Sequence, residues 1–115
     1  MAAVPCSKRS PIEVPMRIEV LYFEGCPNYL PAVERLRKVL GQEGLTITAE
    51  LIEVKDELAA KELKFVGSPT IRVNGRDIEM DSRTITETGL ACRRYPGGLP
   101  PEEMIRAAFR EARKE

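Results

Sequence analysis

From residue 16 onward the apolar and polar positions fall into a readable pattern. Residues 16–23, MRIEVLYF, begin as an alternation, with Ile18, Val20 and Tyr22 set against Arg17 and Glu19. Leu21 and Phe23 then make the second face apolar as well. Such a run predicts a central strand covered on both sides. Gly25 and Pro27 mark a turn over 24–29, after which Leu30, Val33, Leu36 and Leu40 recur at helical spacing among charged residues. Pro27 suits a first helical turn, where its missing N–H costs nothing, and Gly41 or Gly44 ends the helix.

Residues 45–54, LTITAELIEV, alternate again, placing Leu45, Ile47, Ala49 and Leu51 on one face of a second strand. Strand, helix and strand within so short a span predict a right-handed βαβ unit with parallel strands. Residues 56–66 read as a short helix opening at Asp56. Gly67-Ser68-Pro69 breaks the chain. Strands over 70–74 and 76–80 flank Asn74-Gly75, a strong signal for a tight antiparallel hairpin. Residues 81–99 show no periodicity, and a loop of that length in a compact domain is often functional. The segment 100–113 spaces Met104, Ile105, Ala108, Phe109 and Ala112 on one helical face. The expected fold is α/β, in the order β-α-β-α-β-β-α. Its sheet has four strands in mixed orientation, the last two antiparallel, with helices on both faces.

The chain has 115 residues, which sets one domain as the default. Residues 1–15 carry Pro5, Pro11 and Pro15 and are expected to form a flexible or extended leader, with the domain over 16–115. No run is apolar enough for a signal peptide or a membrane span, so the protein is expected in the cytoplasm, away from membranes. Lys and Arg number 18 against 18 Asp and Glu, so no basic excess points to nucleic acid. There is no histidine, which removes His-based triads, dyads, metal sites and proton shuttles. Three cysteines, an odd count, do not make a secreted disulfide framework. Cys6 falls in the leader and reads as a bystander.

Cys26 stands between the first strand and the first helix. Helix starts expose unpaired N–H groups and the positive end of the dipole, and both favour thiolate over thiol. Gly25 permits the sharp turn and Pro27 sets the helix entry. The position therefore suits a nucleophilic or soft-metal-binding thiol, the alternative being a cysteine buried in a turn. Ser68-Pro69-Thr70 precedes the third strand, where a proline can be trans or cis.

These two segments, VLYFEGCPNYLPAVERL over 20–36 and VGSPTIRVNGRDI over 66–78, together with the element order, resemble the thioredoxin-like fold of small, glutaredoxin-related bacterial proteins. The resemblance spans roughly residues 16–113. It implies that Cys26 is the attacking thiol and that Pro69 is a cis-proline facing it. It further implies that Ser68 and Thr70 flank a substrate-binding edge offering backbone groups to an extended peptide or to glutathione. Pro27, Asn28 and Tyr29 complete the substrate-facing turn.

The chain departs from the family's Cys-x-x-Cys motif, because Cys26-Pro27-Asn28-Tyr29 has tyrosine at the resolving position. Three routes remain: a small thiol such as glutathione resolves the mixed disulfide, Cys92 does so, or the thiol binds something instead. Cys92 lies beside Arg93 and Arg94, cations that stabilise a thiolate or attract an anion such as a carboxylate. The sequence thus points first to a thiol–disulfide oxidoreductase using Cys26 and Cys92, with Arg93 near the substrate, no required cofactor, and a protein or small-molecule disulfide as partner. A second reading is a soft-metal protein, since two thiolates without histidine suit mercury, copper(I), arsenic or zinc. It resembles organomercurial lyases distantly. A third is a non-catalytic thioredoxin-like binding module. Asp56, Glu57, Asp77, Glu79 and Asp81 could gather round a cation, but the plainer expectation is that they are solvated. Arg106, Arg110, Arg113 and Lys114 form a basic edge balanced by Glu102, Glu103, Glu111 and Glu115.

Overall fold

A computed structural model describes residues 16–85, 87–91, 93, 95 and 97–113. The expected leader and the cysteines at 6 and 92 lie outside the described residues. The elements are β1 (Ile18–Tyr22), α1 (Tyr29–Gln42), β2 (Glu50–Glu53), α2 (Glu57–Leu63), β3 (Thr70–Val73), β4 (Arg76–Asp77) and α3 (Glu102–Arg113). A 3-10 helix, Met80–Thr84, lies between β4 and α3. The sheet runs β2-β1-β3-β4, with β1 parallel to β2, and β3 antiparallel to both β1 and β4. The chain is therefore mixed α/β with a four-stranded mixed sheet.

Alternation in β1 explains why this strand is central. Ile18 and Val20 point to one face, where they pack with Val33, Leu36 and Val39 of α1 and Ile105 and Phe109 of α3. Leu21 points to the other, where it meets Val54, Ala60 and Phe65 beside α2. Both faces are dry because both are roofed by helix. The shared face expected of Leu45, Ile47 and Ala49 holds, and all three pack against the α1–α3 side. Only Glu50–Glu53 is strand, however, and Leu51, on the edge strand β2, is left exposed while Ile52 packs toward the α2 side.

Helix α1 starts at Tyr29, with Asn28 at the N-cap position but making no side-chain cap bond, so Pro27 precedes the helix instead of occupying its first turn. Leu30, placed on the apolar stripe by spacing, is exposed; the inward face is Ala32, Val33, Leu36, Val39 and Leu40. Gly41 lies inside the helix, and Gly44, at φ +70, follows its C-cap. Helix α2 is shorter than the predicted 56–66: Asp56 caps it by accepting the Ala59 N–H at 2.8 Å, and Lys64 closes it in the left-handed region. Asn74 and Gly75 have φ of +54 and +81, the two positive values a type I′ hairpin turn demands. The strand after that turn is only Arg76–Asp77, and residues 78–79 lead instead into the 3-10 helix.

Among the described residues no helix is long and apolar enough to cross a membrane.

Candidate thiol site

The turn carrying Cys26 follows directly from β1. Gly25 adopts φ +94, a conformation that strains any residue with a Cβ, and reverses the chain after Glu24. The Cys26 N–H donates to Phe23 O at 3.3 Å, and the Cys26 carbonyl accepts from the Tyr29 N–H at 3.5 Å. Cys26 is 8% exposed. Tyr29 stacks on Tyr22 with ring centroids 3.8 Å apart, tying the end of β1 to the first turn of α1. Pro27 is exposed and Asn28 half-buried.

Register brings the second segment to the same end of the sheet. Leu21 lies opposite Thr70 in the antiparallel β1–β3 pair, so the residues after β1 and those before β3 leave the sheet side by side. The Ser68–Pro69 peptide bond is cis. Ser68 and Thr70 are fully buried. Thr70 Oγ1 donates to Gly67 O, and among the described residues Ser68 Oγ has no hydrogen-bond partner.

Both backbone groups of Ser68 are taken by the protein itself. Its N–H donates to Ala91 O and its carbonyl accepts from the Arg93 N–H, each at 2.8 Å. The resemblance assigns this edge to a bound peptide or glutathione; in the fold the returning chain lies along it. Gly67, at φ +137, explains the close approach, because a Cβ there would sit 3.1 Å from Arg93 Cβ and 3.2 Å from Ala91 O.

The returning chain is fastened by its side chains. Arg93 Nη1 and Nη2 donate to Asp77 Oδ2 and Oδ1 at 2.7 and 2.8 Å, and further bonds reach Glu79, Ser82 and Thr70. The guanidinium also lies 4.6 Å from the centroid of the Tyr95 ring, and the Tyr95 hydroxyl donates to Pro69 O at 2.8 Å. Burial opposes the charge on Arg93, but the Asp77 hydrogen bond and the surrounding carboxylates outweigh it and hold the guanidinium above its ordinary pKa. Burial pushes the Tyr95 phenol up. Burial would also raise Glu79, yet hydrogen bonds from Ser82 and Arg93 prevail and keep its carboxyl below the usual range.

The anion that Arg93 meets is thus the protein's own Asp77, with Glu79 beside it. Those two acids are not the solvated pair expected from sequence. One signal pointed the other way: the Asn74-Gly75 turn sets Asp77 opposite Arg72, on the face that also carries Thr70, and an inward carboxylate demands a partner. The expected basic edge of α3 is likewise occupied, since Arg106, Arg110 and Arg113 converge on Glu43. Among the described residues no group of three or more Cys, Asp and Glu is placed to hold a metal ion.

Neither a family model, nor a curated protein, nor a solved structure matches this chain.

Proposed function

We propose that this chain is a thioredoxin-like thiol protein in which Cys26 exchanges with small disulfides and Cys92 resolves the product. The observation that carries the reading is the pair of hydrogen bonds joining Ser68 to Ala91 and Arg93, the residues on either side of Cys92. Those bonds bring the return chain to the end of the sheet where Cys26 sits. The element order and the β2-β1-β3-β4 strand order support the thioredoxin-like assignment. Ligands of α/β sheets gather at the carboxyl ends of parallel strands, which is where the Cys26 turn lies.

The chemistry is a two-step exchange. The Cys26 thiolate attacks one sulfur of a disulfide RSSR; the S–S bond breaks, a Cys26–S–S–R mixed disulfide forms, and RS⁻ leaves to take a proton. The Cys92 thiolate then attacks Cys26 Sγ, expelling the second RS⁻ and leaving the two cysteines oxidised. Two equivalents of a small thiol such as glutathione return the protein to its starting state. Small substrates are favoured on two grounds. Cys26 is only 8% exposed. The backbone groups that could pair with an extended peptide at Ser68 are already hydrogen-bonded within the chain.

The test is the rate at which the protein, with glutathione, reduces the mixed disulfide of glutathione and 2-mercaptoethanol. Activity that falls to background in Cys26→Ser supports the assignment. Equal rates for the two proteins refute it.

A further inference from the structure

The face of the sheet beneath α2 carries a cleft that the thiol chemistry leaves unused. It encloses about 420 Å³ and continues into a second hollow of about 460 Å³, the two sharing Lys64, Arg83 and Ile85. Arg72 and Arg76 complete the first and Lys61 the second. We propose that this cleft binds a small ligand carrying phosphate groups.

Charge is the first ground. Of the lining residues, Asp77 is acidic, and Arg93 already neutralises it from the buried side. Arg83 is held by Glu111 in a pair of hydrogen bonds and serves as a fixed wall. Among the described residues Lys61, Lys64 and Arg72 have no carboxylate partner; Arg72 donates to Lys64 O, which fixes its guanidinium without cancelling its charge. Three uncompensated cations around one concavity favour an anion with several charges on one centre. A single surface ion pair contributes little in water, so several donors must converge on one ligand. Phosphate supplies both the charge and enough acceptor oxygens for ammonium and guanidinium donors together.

Shape and apolar lining are the second ground. The first cleft alone lies within the range of small-molecule sites, about 300–1,000 Å³. Ile85 is 48% exposed at the junction of the two hollows, an apolar surface against which the organic part of a phosphorylated molecule can lie. With zero formal net charge over the whole chain, the basic character is local, which suits a compact ligand better than a long polyanion.

The test is calorimetric titration of the full chain with inorganic pyrophosphate and then with adenosine triphosphate at low ionic strength. Saturable binding is expected, roughly tenfold or more weaker in the Lys61→Gln/Lys64→Gln double variant and unchanged in Lys55→Gln. Both lysines are exposed, so the double variant should keep its fold. Amide shift mapping on the unaltered protein gives a second readout, with perturbations expected at Lys61, Lys64, Ile85 and Thr88. No saturable heat with either probe, equal affinity in the double variant, perturbations elsewhere, or binding confined to a long polyanion such as heparin would each overturn the proposal.

Discussion

Arg93 and Asp77 meet as a buried, two-pronged ion pair, with side chains 6% and 7% exposed and bonds of 2.7 and 2.8 Å. The pair joins the return chain, whose described residues form no helix or strand, to β4 at the edge of the sheet. Glu79, Ser82 and Thr70 supply further acceptors, so both terminal nitrogens of the guanidinium are hydrogen-bonded. Such a pair gives little net stability over apolar packing, but it is costly to break one partner at a time.

Arg93→Met and Asp77→Leu are therefore each expected to destabilise the fold by about 3–5 kcal/mol, because each strands the other charge. The double variant should lose less than the sum of the two. Urea unfolding of the four proteins in a double-mutant cycle measures the coupling.

Tyr95→Phe removes the hydroxyl that donates to Pro69 O while keeping the ring under Arg93. The expected loss is about 0.5–1.5 kcal/mol near neutrality, one ordinary hydrogen bond. Because burial raises the Tyr95 phenol, its contribution is present below the unfolded value of about 10 and fades as pH climbs toward the folded value. Denaturation followed from pH 8 upward should show a shallower alkaline decline for Tyr95→Phe than for the unaltered chain.

Acid should loosen the same region. Ser82 and Arg93 hold Glu79 low against the opposing effect of burial, and the Arg83 hydrogen bond holds Glu111 low. A carboxyl depressed in the folded state contributes stability above its unfolded value, about 4.3, and loses it as pH falls through the folded value. Stability should thus be flat near neutrality and drop on the acid side. Glu79→Gln should make that drop smaller, as read from the urea midpoint against pH.

Gly67→Ala tests whether the return chain is truly seated against the loop before β3. The new methyl would need Arg93 Cβ and Ala91 O to move from 3.1 and 3.2 Å, at a backbone φ of +137 that alanine disfavours. A loss of about 1–3 kcal/mol is expected. Amide exchange at Ser68 and Arg93, whose N–H groups bridge the two segments, should accelerate more than exchange in α1.

Much of the architecture was legible because it depends on local periodicity. The two-sided apolar run of β1, the stripe of α3 and the Asn74-Gly75 turn each specify an element without reference to the rest. Leu30 misled because helical spacing does not say how far the neighbouring helix extends. The end of β4 and the 3-10 helix were hidden because residues 76–80 alternate like a strand. Their course is set instead by contacts distant in sequence, such as Arg83 Nε to Asp77 O. For the site, Cys26 and Pro69 stood out through their flanking residues. The pairing of Arg93 with Asp77, Glu79 and Ser82 did not, since long-range partners of a buried charge leave no spacing to read.

The most direct measurement is a trapping experiment on the folded chain with glutathione disulfide, mapped by peptide mass spectrometry. In Cys92→Ser, a glutathionyl group should accumulate on Cys26, whereas the unaltered chain should instead yield a Cys26–Cys92 disulfide. Labelling confined to Cys6, with Cys26 reacting only after denaturation, would contradict the account and make Cys26 a packing residue.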